Sequence, residues 1–386
     1  MDREIYLDNS ATTRPFDEVI EYMGLINKTV YGNPSSLHLK GIEAEKHVRK
    51  SREAIAKTLD INPKELIFTS GGTESNNMAV IGYLRANPRK GKHVITTKIE
   101  HPSILEVFRY LETLGYLVDY IDVDRNGIVN LNMLKEKISD DTALVSVMYV
   151  NNEVGSIQPI DEIAKTIKGR NKNTAFHVDA VQAYGKLKLN PKKSGIDLMS
   201  ISSHKIHGPK GVGALFVRES VKIEPILFGG GQESLLRSGT ENVPGICGFG
   251  LAAEMIHSKL DENYEKVAGL KNLFIELLEM NIEGFTVISP ENSSPYIINV
   301  SFDNLKAEVL LHHLEEKGIF VSTGSACSSR KKKYSHVLEA MGIKSDSLEG
   351  ALRFSLCGQN SERDIIETVD ALKEIIPRIR IKKFGR

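Results

Sequence analysis

Between residues 66 and 217 the chain alternates short apolar runs with amphipathic helical stretches. The runs 66–69, 93–97, 117–122, 144–150, 175–178 and 198–202 read as strands, and stretches such as 103–114 and 160–168 lie between them as helices. Short buried strands separated by helices require βαβ crossovers, so the sheet must be mostly parallel. The run 213–217 follows 198–202 after a turn too short for a helical crossover, and it is expected to run antiparallel to that strand. In open α/β sheets ligands gather outside the carboxyl ends of the strands. Thr73, His101, Asn152, Asp179 and Lys205 all fall at or just after such ends. Past about residue 251 the pattern changes to helix 253–280, strand 296–302, helix 306–317, strand 319–322, helix 335–341, strand 351–356 and helix 362–376. We read this as a smaller α+β domain. The expected division is a large domain of residues 17–255 and a small one of 1–16 with 256–386, with a ligand site in the cleft between them.

Four segments carry chemistry. Ser202-Ser203-His204-Lys205 closes a strand and opens a glycine-rich turn, Gly208-Pro209-Lys210-Gly211. A lysine whose charge is disfavoured by burial can attack an aldehyde as a neutral amine, while the flanking Ser202 and His204 can hold an anionic group. Alone, the segment fits a surface lysine in a loop equally well. Ala175-Phe176-His177-Val178-Asp179 reads as a buried strand ending in an acid. Such an acid can pair with the ring nitrogen of pyridoxal phosphate, and Gln182 can reach the ring oxygen. An N-cap is the plainer role for Asp179. With Lys205 one strand further on, we favour the cofactor site.

The third segment, Thr69-Ser70-Gly71-Gly72-Thr73-Glu74-Ser75-Asn76, joins a strand to a helix. Glycines there let an anion approach free backbone N–H groups. No Gly-Lys-Ser/Thr ending follows, so this is not a Walker loop, and an ordinary βα turn has the same look. The fourth is Gly324-Ser325-Ala326-Cys327-Ser328-Ser329, small and polar, followed at once by Arg330-Lys331-Lys332-Lys333. Neighbouring cations favour thiolate, whereas Cys247 and Cys357 sit in apolar segments and read as structural thiols.

In this order the segments resemble the cysteine desulfurases of the class-V aminotransferase group of pyridoxal phosphate enzymes. The resemblance also takes in Tyr6-Leu7-Asp8-Asn9-Ser10-Ala11-Thr12-Thr13, Tyr31-Gly32-Asn33-Pro34, Glu100-His101, Val150-Asn151-Asn152-Glu153, Arg237-Ser238-Gly239-Thr240 and Leu352-Arg353-Phe354-Ser355, and so runs nearly the whole chain. It implies the fold-type I architecture: an α/β large domain on a mostly parallel seven-stranded sheet, with a smaller α+β domain. It implies conversion of L-cysteine to L-alanine with sulfur left as a persulfide on Cys327. Lys205 would carry pyridoxal 5'-phosphate, and His101 would stack on the ring and move protons. Gly72, Thr73, Ser202, His204 and a neighbouring subunit's copy of Thr240 would hold the phosphate, which implies a homodimer. Asn152, Asp179 and Gln182 would hold the ring, and Arg353, Asn33 and Asn152 the substrate carboxylate. The Cys327 segment is similar to the branch that serves iron–sulfur cluster scaffolds and tRNA-thiolating enzymes, so a sulfur-acceptor protein is an expected partner. A selenocysteine lyase or another class-V lyase or aminotransferase is the alternative. Two segments depart from the commoner pattern: Arg330-Lys331-Lys332-Lys333-Tyr334 after the cysteine, and Ser234-Leu235 where Arg-Gly is frequent.

Composition narrows the remaining classes. With 50 basic and 50 acidic side chains in 386 residues, there is no global basic footprint for direct nucleic-acid binding. No apolar run is long enough to span a bilayer, and Met1-Asp2-Arg3-Glu4 lacks the basic and apolar regions of a signal peptide. Three scattered cysteines fit neither a disulfide framework nor a zinc site. We expect a cytoplasmic protein without metal or membrane partner.

Overall fold

The computed structural model describes residues 3–323 and 334–380. Twelve strands among them form three sheets. In chain order they are β1 (Ile5–Tyr6), β2 (Leu66–Thr69), β3 (His93–Thr97), β4 (Leu117–Ile121), β5 (Thr142–Met148), β6 (Ala175–Asp179), β7 (Leu198–Ser202), β8 (Gly213–Val217), β9 (Phe285–Val287), β10 (Ile297–Phe302), β11 (Ile319–Phe320) and β12 (Ala351–Ser355).

The large sheet has seven strands in the order β2-β8-β7-β6-β5-β3-β4. Only β8 runs against the others: it is antiparallel to β2 and β7, while the remaining pairs are parallel. The antiparallel expectation for 213–217 is met. Successive strand residues face opposite sides, as a pleated strand requires. Phe68, Ile95, Val145, Met199 and Phe216 enter one apolar cluster. Their chain neighbours Ile67, Val94, Leu144, Leu198 and Leu215 enter another. The parallel strands β2, β3, β5, β6 and β7 therefore end on one edge of the molecule. At that edge Gly213 fits only without a side chain, since a Cβ would come within 2.7 Å of Gly71 Cα.

The later part holds the three-stranded sheet β12-β10-β9 and the pair β1-β11. β1 pairs in parallel with β11, so the N-terminal segment lies against the C-terminal part of the chain. Its continuation carries Asp8, which bridges to Ser355.

The helical reading needs one correction. The stretch read as a helix over 253–280 is two helices, Val243–Ser258 and Leu260–Asn281, separated at Lys259. The first begins well before the expected start, through Gly245, Gly248 and Gly250, residues with poor intrinsic helix propensity. Tertiary packing overrides that preference. A Cβ on Gly250 would meet Ser51 at 2.8 Å, and one on Gly248 would meet Met23 Sδ at 2.7 Å. The glycines thus let Val243–Ser258 lie close against Asp17–Thr29 and Leu39–Leu59. The last helix, Glu362–Ile379, runs beyond residue 376 and takes Pro377 into its final turn. No helix among the described residues is long and apolar enough to cross a membrane.

Candidate active site

At the carboxyl edge of the large sheet lies a cavity of about 260 Å³. Five different strand ends feed it. Gly72 and Thr73 follow β2, His101 follows β3, Asn152 follows β5, Asp179 ends β6, and Ser202, His204 and Lys205 follow from β7. Arg353 reaches the same cavity from β12, in a different sheet. Gln182 lines it too. Asn33 and Thr240 are exposed and lie outside its lining; Asn33 Oδ1 accepts from Ser35 N–H and closes a local turn. Cys327 and the 330–333 cation run lie outside the described residues.

Lys205 sits in a single helical turn, Ser203–Lys205. Its ammonium donates to the carbonyls of Ala11, at 2.7 Å, and Ser10. The N-terminal segment thus forms one wall beside the lysine. His204 Nδ1 lies 3.2 Å from Thr12 Oγ1. Burial, then the charge of Lys205, pushes the His204 imidazole down to about 4, so it is neutral at neutral pH.

Asp179 is held at both oxygens. Val181 N–H donates to Oδ1 at 3.0 Å, and Asn76 Nδ2 donates to Oδ2 at 2.8 Å. The first bond closes a local turn rather than capping a helix, since no helix follows Asp179 before β7; the second fixes the carboxyl at the cavity. Asn76 also donates to Ser103 Oγ at 2.8 Å, and Ser103 Oγ lies 2.8 Å from His101 Nδ1. His101 caps helix Pro102–Thr113 through the same Nδ1, which accepts from Ser103 N–H. Because Nδ1 is an acceptor, the ring proton of neutral His101 belongs on Nε2. Burial lowers the His101 pKa, with Asp179 opposing and Lys205 and His336 reinforcing the shift. His101 therefore both caps this helix and lines the cavity.

Arg353 is a buried guanidinium, its side chain 5% exposed. It donates to Asp8 Oδ1 at 2.7 Å and to the Asn152 carbonyl at 2.9 Å. Its Nε has no hydrogen-bond partner among the described residues. The ion pair with Asp8 orients the group rather than decorating a surface. Beyond the described end of the cysteine segment, Ser335 donates to Glu153 and His336 Nε2 donates to the Glu100 carbonyl at 3.0 Å. Burial raises Glu100 to about 8 and Glu153 to about 7, which favours their neutral forms.

Asp8, Asn76 and Lys186 were missed as working residues. Asp8 and Asn76 lie inside motifs that carried the family resemblance, and that was the only signal for them. Lys186 donates to Gln182 Oε1 at 2.8 Å, and no motif pointed to it.

The cavity fits pyridoxal phosphate. Ser202 Oγ and Asn76 Oδ1 are buried with no partner among the described residues, and both residues line the cavity. Gly71 has φ +152°, a setting L side chains rarely adopt. A Cβ on Gly72 would fall 2.8 Å from Val181 Cγ2, so only glycine lets the start of helix Gly72–Asn77 pack this closely on Val181 at the cavity wall. An acid, a lysine and an anion cradle stand around one space.

Comparison with known proteins agrees. The family described as Aminotransferase class-V matches residues 5–368. The chain belongs to that family. Its place within it is among the cysteine desulfurases. It is 44% identical over 381 residues to the cysteine desulfurase IscS of Dictyoglomus turgidum, covering 98% of this chain and 96% of that one. Among solved structures it resembles a NifS-like protein with a TM-score of 0.92 and 40% identity, over 97% of this chain and 100% of that one. It also resembles SspA in complex with cysteine, with a TM-score of 0.82 and 32% identity, over 93% of this chain and 100% of that one.

Proposed function

We propose that this protein takes sulfur from L-cysteine, releases L-alanine and keeps the sulfur as a persulfide on Cys327, using pyridoxal phosphate held on Lys205. The observation that carries this reading is the meeting of Lys205, Asp179 and Arg353 in one cavity from three different segments. Bound there, pyridoxal phosphate supplies an aldehyde that captures amines and a ring that accepts an electron pair released at the neighbouring carbon.

The chain's own groups do the rest. Thr73, Ser202, His204 and the N–H groups after Gly71 bind the phosphate. Asp179, oriented by Asn76 and Val181, holds a proton on the ring nitrogen. Gln182 and Asn152 border the ring oxygen. Arg353, fixed by Asp8, binds the substrate carboxylate and so sets the direction of Cα, with Asn152 beside it. Lys205, once released, takes the Cα proton. His101 Nε2 faces the proton traffic, since Nδ1 is committed to Ser103. Cys327 thiolate attacks the substrate sulfur; an S–S bond forms, the C–S bond breaks, and its electron pair stays with the carbon, which is protonated to give alanine.

We assign the large domain to residues 17–255 and the small one to 1–16 with 256–386; the boundary falls in the last turn of helix Val243–Ser258. Exposed Thr240 serves the phosphate of a second copy, making the active unit a homodimer in which Asn33 helps hold the substrate. The acceptor is a protein such as an iron–sulfur scaffold or a tRNA-thiolating enzyme, met in the cytoplasm. The experiment is spectroscopic. Purified protein is expected to show visible cofactor absorbance that borohydride bleaches, and Lys205→Ala to lose it. An unchanged spectrum in the variant would remove Lys205 from this role.

A further inference from the structure

Among the described residues, Lys186 is a buried cation beside the cavity that the proposed chemistry leaves without a task. It is 6% exposed. Its ammonium donates to Gln182 Oε1 at 2.8 Å and lies 5.6 Å from the centre of the Tyr296 ring. The described partner is an amide, not a carboxylate. Burying an ammonium this way is costly, and the like charges of Lys205 and Arg353 add to the cost. A leucine or methionine there would pack at lower cost. The position of the charge must therefore be read from what it touches.

It touches the back of a cavity residue. An ammonium can only donate, so the Gln182 atom facing Lys186 is Oε1. A carbonyl can only accept, so the Gln182 atom 2.9 Å from the Ser10 carbonyl is Nε2. Two independent partners thus give the same amide orientation. Nε2 carries a second hydrogen, and Gln182 lines the cavity with Lys205 and Asp179. The Ser10 carbonyl that receives Gln182 also receives Lys205. The amide and the cofactor lysine are therefore registered on one backbone group.

We propose that Lys186 is a positioning residue: its ammonium locks the Gln182 amide and polarises it, so that Nε2–H serves as a strengthened donor to the anionic ring oxygen of the cofactor. The proposal rests on the reading of the cavity as a pyridoxal phosphate site. A donor whose carbonyl oxygen is bound to a cation carries more positive hydrogen, because chained hydrogen bonds polarise one another in a low-dielectric interior. Burial, reinforced by Lys205 and Arg353 and opposed by Cys357, pushes the Lys186 ammonium down to about 7, so the charged form that polarises the amide is the one present below that pH. Replacing Lys186 by methionine keeps the apolar stem, deletes the charge and leaves Oε1 unsatisfied. The amide then gains nothing from its present orientation at that end, and its donor weakens.

The test uses the cofactor-loaded protein as purified. Wild type, Lys186→Met, Gln182→Ala and the double variant are titrated with pH while visible absorbance is followed. Each is then stripped and its affinity for added pyridoxal phosphate measured. An N–H donor stabilises the deprotonated chromophore, so losing it lets the protonated form persist to higher pH. The midpoint should rise by about one pH unit in Lys186→Met, the size of one charge-assisted hydrogen bond. Affinity should fall about tenfold. Gln182→Ala should reproduce both effects, and the double variant should add nothing further. A purely structural lysine would change melting temperature and leave the midpoint in place. An unmoved midpoint in Lys186→Met, or shifts that sum in the double variant, overturns the proposal. Should Lys186→Met fail to fold, an unmoved midpoint in Gln182→Ala overturns it instead, and a rise there upholds the donor on which it depends. A wild type that takes up no cofactor would refute the cavity reading itself, a separate outcome.

Discussion

Replacing Asn76 by alanine should weaken cofactor binding by one to two orders of magnitude without unfolding the protein. The side chain is 1% exposed and makes two donations, to Asp179 Oδ2 and Ser103 Oγ, each at 2.8 Å. The bond to the carboxylate is charge-assisted, and its loss costs about 1.5–3 kcal/mol, or about 10- to 100-fold in affinity. That cost falls on the cofactor because the freed oxygen belongs to Asp179, the acid proposed to hold the ring nitrogen. The second donation matters for a different reason. Ser103 Oγ accepts from Asn76, which leaves its own hydrogen for His101 Nδ1. Without Asn76 the serine can rotate, but Ser103 N–H still donates to Nδ1 at 3.1 Å, so the His101 ring should stay in place. The assay is a titration of stripped protein with pyridoxal phosphate, read by visible absorbance, beside the melting temperature of the same stripped protein. Affinity within about twofold of wild type would refute the claim that Asn76 holds Asp179 for the ring.

Two further predictions concern stability. Leu235 is 71% exposed and has φ +68°. Leu235→Gly should raise stability by about 0.5–1 kcal/mol, the left-handed strain of a branched residue less the extra chain entropy of glycine; a lower urea midpoint would contradict this. Glu100 is raised by burial from 4.5 to about 8, so the folded state retains a proton that the unfolded chain has lost. Its contribution is fully present below pH 4.5 and lost as the pH rises towards 8, so Glu100→Gln should flatten the fall in urea midpoint across that window. An identical fall in both proteins would show that Glu100 is ionised when folded.

Strand content was legible because most strands of the large sheet are short apolar runs and several are set off by helices, and the direction of β8 followed from the length of one turn. Helix Val243–Ser258 was not, because its glycines speak against a helix locally and only the neighbouring Ser51 and Met23 explain them. In the site, Lys205, Asp179 and Thr73 could be read because strand ends mark them. The groups that aim them could not. Asp8 meets Arg353 across most of the chain length, and Asn76 meets Asp179 across a different pair of segments. Lys186 looks like any lysine after a glycine until its ammonium is found enclosed behind Gln182. Such partnerships depend on tertiary approach, which spacing along the chain does not encode.

The central claim is that sulfur passes to Cys327 and to no other thiol. Cys247 and Cys357 are both buried, and burial raises both thiols, which disfavours the attacking thiolate. The most direct measurement is mass spectrometry of peptides from protein allowed a single turnover with L-cysteine and then alkylated. The expected result is one extra sulfur on the peptide containing Cys327, absent from Cys327→Ser, with L-alanine formed in matching amount. Extra sulfur on Cys247 or Cys357, or alanine formed with Cys327 unmodified and its serine variant fully active, would contradict the account.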